Sequence, residues 1–276
     1  MKIDAHHHFW RYSESEYGWI TDTMAQIRRD FLPEHLAGEI REVGVDGVVS
    51  VQARQTLAET RWLLEFGEHN PFIRGVVGWV PLTDPAVGDL LGELVANRAL
   101  RGVRHVLQGE PSDYMARKDF NRGLERLAPV GLTYDLLVLE HQLPEAIALV
   151  DRHPDLPMIL DHIAKPRIRD REIEPWARRI RELARRPHVT CKLSGMVTEA
   201  NVQTWTADGL FPYFQVVLEA FGPKRLMFGT DWPVCLVASS YRRWYETVTD
   251  WISRLSPGER ADIMGGTALR TYSLPL

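Results

Sequence analysis

Cysteine is scarce in this chain. Its 276 residues include only Cys191 and Cys235, with no CxxC pair. That excludes a disulfide framework and fits a reducing compartment. An excess of charge of one sign is also missing: 33 Lys and Arg stand against 37 Asp and Glu, a net charge of -4. So even a balance offers no footprint for nucleic acid or acidic lipid. The densest basic cluster, Arg178, Arg179, Arg181, Arg185 and Arg186, is interleaved with Ile180 and Leu183 and reads as the wet face of one helix. No apolar run approaches the ~20 residues of a membrane span. The first residues lack the charged start, apolar middle and small-residue cleavage site of a secretory signal. A cytoplasmic, soluble protein without a membrane partner is expected. No low-complexity linker and no internal repeat divides the chain, so residues 1-276 read as one domain.

What the chain does contain is an alternation of two patterns. Short apolar, β-branched runs occur at Lys2–Ala5, Gly47–Val51, Ile73–Val77, Gly102–His105, Thr133–Leu137, Met158–Asp161, Thr190–Leu193 and Arg225–Gly229. Several, such as "DGVVSV", are almost wholly apolar, as strands of a parallel sheet covered on both faces must be. Between them lie amphipathic stretches with helix punctuation. "LPEHLAGEIREVG" has Pro33 near its start and Gly44 at its end; "LPEAIALVDRHP" and "EPWARRIRELARRP" are built likewise. Eight strands alternating with eight helices point to a closed (β/α)8 TIM barrel, a fold of ~250 residues. The rival, an open doubly wound sheet, would show a Gly-rich phosphate turn after an early strand, and none is present.

A barrel carries its chemistry at the C-terminal ends of its strands. Those ends read His6-His7-His8 and Trp10; Gln52 and Arg54; Arg104 and His105; Tyr134 and Asp135; Asp161, His162 and Lys165; Lys192 and Ser194; Asp231 and Trp232. The third strand offers only Trp79. The three histidines follow Met1–Ala5 directly and lead into Phe9-Trp10, so they read as native sequence and not as a purification tag. Residues two apart on a strand share a face, which pairs His6 with His8 and turns His7 away. Such a pair is a two-point clamp for a metal ion. Asp231, brought beside strand one when the barrel closes, can complete it with an open position for water, as zinc accepts. Taken singly, each residue has a bland reading. A lone His-x-His is commonly core or surface, Asp231 could cap the next segment, and Lys165 and Lys192 could be ion-pair partners. Their joint arrival at the ends of strands in one barrel favours a site.

Together these residues resemble the amidohydrolase superfamily. "DAHHHFW" is similar to its His-x-His, "LDHIAKP" to its strand-six histidine and "FGTDWP" to its terminal aspartate. The resemblance runs from residue 2 to about residue 270. With "GVRHVLQ" and "LSGM" added, it points to the sugar-lactonase branch. Two departures matter. Strand five, "LTYDLLV", lacks the ligating histidine common in the superfamily, and strand four, "RGVRHVLQ", lacks the lysine of its two-metal members. The resemblance therefore implies at most one divalent metal ion, zinc by preference, on His6, His8 and Asp231. His162 would be a further ligand or a neighbour. Some lactonases of this kind work without metal, so the ion is dispensable in the alternative reading.

The implied chemistry is attack of water on the carbonyl of a sugar lactone, an aldonolactone, giving the open acid. Asp231 takes the water's proton and His162 steadies the oxyanion. Gln52, Arg54, Arg104, His105, Tyr134 and Lys165 are the expected partners of the sugar's polar groups. Trp10 and Trp232 are the expected aromatic wall, and "RYSESEYGWI" a loop over the mouth. A metal-independent lactonase of an acidic, pyrone dicarboxylate type of lactone could use the same residues. A decarboxylase normally needs the missing strand-five histidine. A barrel that only binds a ligand would not need polar groups at so many strand ends. Trp244, Tyr245 and Trp251 suit a homo-oligomer contact or a seal on the barrel, and the sequence leaves both open.

Overall fold

The computed structural model describes residues 1–275. Eight parallel strands lie in sequence order: β1 (Ile3–His7), β2 (Gly47–Val51), β3 (Ile73–Gly78), β4 (Leu100–His105), β5 (Thr133–Leu136), β6 (Met158–Leu160), β7 (Val189–Leu193) and β8 (Leu226–Phe228). The ring closes by a parallel bridge between His7 and Trp232, with His8 N donating to Trp232 O at 2.7 Å and Asp231 N to His6 O at 2.8 Å. This is the expected (β/α)8 barrel. Helices cover its outside. Helix Pro33–Val43 starts on its proline and stops where Gly44 turns left-handed at φ 68°. Thr56, Thr206 and Ser240 cap three others by accepting from the third helical N–H.

Two departures from the sequence pattern have local causes. The expected helix over residues 121–131 runs instead over Lys118–Leu124, and a left-handed Gly131 closes the turn after it. Residues beyond 252 add two short helices, Pro257–Ala261 and Thr267–Thr271. After the second, the chain turns under the barrel. Tyr272 and Leu274 pack with Ile3, Ala5, Val49, Val51, Val77, Ile159 and Met227 inside its lower end. Trp244 and Trp251 seal the barrel from outside: the Trp244 indole N–H reaches Gly229 O at 2.9 Å, and Trp251 stacks on Phe214. Among the described residues, no helix is long and apolar enough to cross a membrane.

One irregularity sets up the site. Asp4 pairs with Val48 and His7 with Ser50, so Ala5 and His6 together face the single residue Val49. This is a β-bulge, which adds one residue and re-aims the side chains beyond it. With Ile3 and Ala5 inside the barrel, strict alternation would have turned His6 outward. The bulge turns it inward, sends His7 out to Ser50 Oγ at 2.9 Å, and brings His8 back in.

Candidate active site

His6, His8, His162 and Asp231 meet at the C-terminal mouth, all of them buried. The Nε2 atoms of His6 and His8 are 3.2 Å apart. Asp231 Oδ1 lies 3.2 Å from His8 Nε2, 3.7 Å from His6 Nε2 and 4.0 Å from His162 Nε2. His8 Nδ1 is 2.8 Å from Val51 O, a carbonyl that can only accept. His8 Nδ1 therefore carries a proton, and its Nε2 faces the cluster. Burial and then Lys192 hold His6 well below the usual histidine range, so its ring is neutral. Two imidazoles and a carboxylate, those of His6, His8 and Asp231, each offering one atom within 4.8 Å of the others, form a set that can hold a metal ion.

Asp231 is ionised. Burial alone would raise its pKa, but His162, His8 and Lys165 outweigh that and lower it. Burial moves His162 the other way, down to about 4. Its Nδ1 sits 2.9 Å from Ser194 Oγ, which leaves Nε2 facing Asp231. Beneath the cluster lies a charged floor. Lys192 is fully buried between Asp135 and Asp161, and its Nζ is 3.1 Å from His6 Nδ1. Arg104 donates to Asp161 at 2.9 Å, and the Tyr272 hydroxyl donates to Asp135. Lys192, His6 and Arg104 together hold Asp161 well below the ordinary carboxylate range despite its burial.

The backbone here is unusual. His162, Ile163, Ala164 and Lys165 all have left-handed φ, between 47° and 61°, and Asp231 has φ 60°. Each such non-glycine residue costs roughly 1–3 kcal/mol and persists only where its surroundings enforce it. The left-handed run swings His162 and Lys165 over the mouth. Gly195, itself at φ 69°, leaves room for the His162 ring: a Cβ there would sit 2.7 Å from its Cγ. Gly195→Ala is therefore expected to displace His162, lower turnover by about 10²-fold and reduce the melting temperature. Unchanged kinetics would show that His162 does not need this seat.

Above the cluster is a cavity of about 270 Å³, at the small end of ligand pockets and suited to one small ring. His8, Arg104, His162, Lys165 and Asp231 line it, as expected from strand-end position. Six other residues expected to contact the substrate stand outside its wall. Alternation explains two of them. Arg104 and Asp135 point inward, so His105 and Tyr134 must point outward; His105 stacks on Tyr114, and Tyr134 packs on Phe120. Gln52 is buried beneath, donating to Arg104 O at 3.2 Å. Arg54 is paired with Glu16 and lies over Tyr17, tying the β1 loop down. Trp10 donates to Arg29 O and packs on Phe31, and Trp232 packs on the same Phe31. The aromatic surface in the cavity is Trp19, still 42% exposed. It lies in the loop expected over the mouth, but nothing in that loop's pattern singles it out. Gln55, Gln108 and Val106 also line the wall, from positions just past the strand ends.

Fold and cluster together define a barrel with an acid–base or metal centre of the hydrolase type. The chain belongs to the amidohydrolase family, whose profile matches residues 3–274. It is 40% identical to an L-fucono-1,5-lactonase of Burkholderia multivorans, over 100% of this chain and 97% of the relative. It is 34% identical to an L-fucono-1,5-lactonase of Burkholderia ambifaria, over 99% and 96%. A crystal structure of an amidohydrolase from Burkholderia multivorans with bound zinc superposes with a TM-score of 0.95, at 41% identity and 100% coverage of both chains.

Proposed function

We propose that this protein hydrolyses a sugar lactone of the L-fucono-1,5-lactone type to its open-chain acid. The observation that carries the reading is an ionised, buried Asp231 with a neutral His162 4.0 Å away, both in the wall of a cavity the size of one ring. The two full-length lactonase relatives support it. Asp231 takes a proton from the attacking water and returns it to the ring oxygen as the ester bond breaks. His162, neutral and with Ser194 at Nδ1, offers an Nε2–H to the carbonyl oxygen as negative charge develops there. The cations of the wall are already matched: Arg104 by Asp161, and Lys165 by Glu199 at 3.9 Å. No uncompensated positive charge waits for a dicarboxylate, which favours a neutral polyol over an acidic pyrone.

His6, His8 and Asp231 suit one divalent ion, zinc by donor type, with Asp161 behind the His6 ring at 3.3 Å as an outer partner. Such an ion, when bound, acidifies water and polarises the carbonyl. One contact favours a second reading without metal. If Lys192 donates to His6 Nδ1, His6 carries its proton on Nε2 and donates it to His8 Nε2, so the cluster satisfies itself. A pH-indicator assay on a panel of aldonolactones with pyrone dicarboxylate included, before and after chelation, tests all of this. The expected result is rapid opening of a neutral sugar lactone. Loss on chelation, restored by zinc, supports the ion, and retention supports the second reading. Turnover of the pyrone alone, or of nothing, would overturn the proposal.

A further inference from the structure

We infer that Trp19 is the platform on which the lactone ring seats, its indole meeting an apolar C–H face of the substrate. The inference rests on the lactonase reading. It adds to that reading the side chain that holds the ring while Asp231 and His162 act on the carbonyl.

Trp19 is the only exposed tryptophan among the described residues. A single exposed apolar side chain needs no explanation in itself. Two observations set this one apart. It lines the same cavity as His162, Lys165 and Asp231. And its segment is tied down on both sides. Ahead of it, Arg54 pairs with Glu16 and lies over the Tyr17 ring, 5.5 Å from its centre. Behind it, the Arg28 guanidinium donates twice to Ile20 O, at 3.2 and 3.0 Å, and Ile20 N donates to Tyr17 O at 2.9 Å. The rings of Trp19 and the fully buried Trp10 meet edge to face, their centres 5.8 Å apart. A large flat side chain is thus kept exposed by a fixed loop, and covering it with a ligand requires little further ordering.

A sugar ring has the matching surface. Its hydroxyls lie mostly around the rim, and its C–H groups gather on the faces, where their slight positive charge suits the negative face of an indole. Ala53, Val106, Leu137 and Val234 supply further apolar wall. A six-membered ring with its substituents fills much of a cavity of about 270 Å³, so a ring held at Asp231 meets the indole as well. Trp10 and Trp232 have no surface to offer it, both being buried.

The test uses the lactam analogue of L-fucono-1,5-lactone, which keeps the ring and resists hydrolysis, and two variants. Wild-type tryptophan emission is expected to shift to the blue, saturably, as the lactam takes the exposed indole out of water. Trp19→Phe is expected to show no shift. In steady-state kinetics on the lactone, Trp19→Ala is expected to raise KM about tenfold. Trp19→Phe, which keeps a flat ring, is expected to raise it less. A loop that mattered only for folding would not give that order at unchanged melting temperatures. If Trp19→Ala fails to fold, the Trp19→Phe spectrum still decides. A wild-type spectrum that stays fixed while the lactam inhibits turnover, or a wild-type KM in Trp19→Ala, would overturn the platform and leave the lactonase reading standing. A wild type that opens no sugar lactone would overturn the lactonase reading and take the platform with it.

Discussion

Asp231→Asn is expected to lower kcat/KM on the lactone by roughly 10²–10⁴-fold, the usual worth of a positioned general base, while the fold survives. The two halves of this expectation have separate grounds. The loss comes from chemistry: an amide cannot take a proton from water, and it replaces the oxygen that stands 3.2 Å from His8. The survival comes from the backbone. Residue 231 is left-handed at φ 60°, and Asn adopts that conformation at least as readily as Asp. The main-chain N–H of residue 231 still donates to His6 O, so the closure of the barrel is kept. Steady-state kinetics beside thermal unfolding reads both. If lactone binding persists while turnover disappears, the residue acts on the reaction. Near-wild-type turnover would remove Asp231 from the mechanism.

Lys192→Met is expected to be the most destabilising change in the barrel interior. The ammonium is fully buried, in contact with Asp135 and Asp161. Without it, two carboxylates remain in an apolar barrel with Arg104 and Tyr272 as their main partners. Removing one partner of a buried ion pair costs about 3–5 kcal/mol, which for a chain of this size lowers the melting temperature by roughly 10 °C. Adding Asp135→Asn to the same chain is expected to recover part of that loss, because one unpaired charge goes with it. Thermal unfolding of the two variants decides. Equal stability of Lys192→Met and the wild type would mean that the network is not ionic.

Much of this architecture is legible in the sequence. The eight strand positions are readable because a parallel barrel demands continuous apolar runs, and those runs are distinct here. His6, His8, His162 and Asp231 are readable because the fold dictates where strand ends gather. The expectation that His6 and His8 share a face matches the structure for an additional reason: the bulge at Ala5-His6 leaves no mark in residue type. The alternation that pairs those histidines also governs β4 and β5, where it separates Arg104 from His105 and Asp135 from Tyr134. Position at a strand end alone does not make that separation. Trp10 and Trp232 follow strands, as a wall residue would, but large flat side chains there have enough neighbours to be buried completely. Trp19, Gln55 and Gln108 lie on connecting segments, whose path depends on tertiary contacts such as Arg54 with Glu16, and no local pattern reveals them.

The turn of the chain beneath the barrel has a consequence for biosynthesis. Tyr272 bonds Asp135, Asp135 bonds Lys192, and Lys192 touches His6. Residue 6 on the first strand is thus braced by residue 272, which is made after all eight strands. A nascent chain can assemble most of the strands while still tethered to the ribosome, but the support beneath its first histidine arrives only when residue 272 has emerged. The centre is therefore expected to be completed only after Tyr272 is made, and a product truncated before Tyr272 to hold a barrel with an unfinished centre.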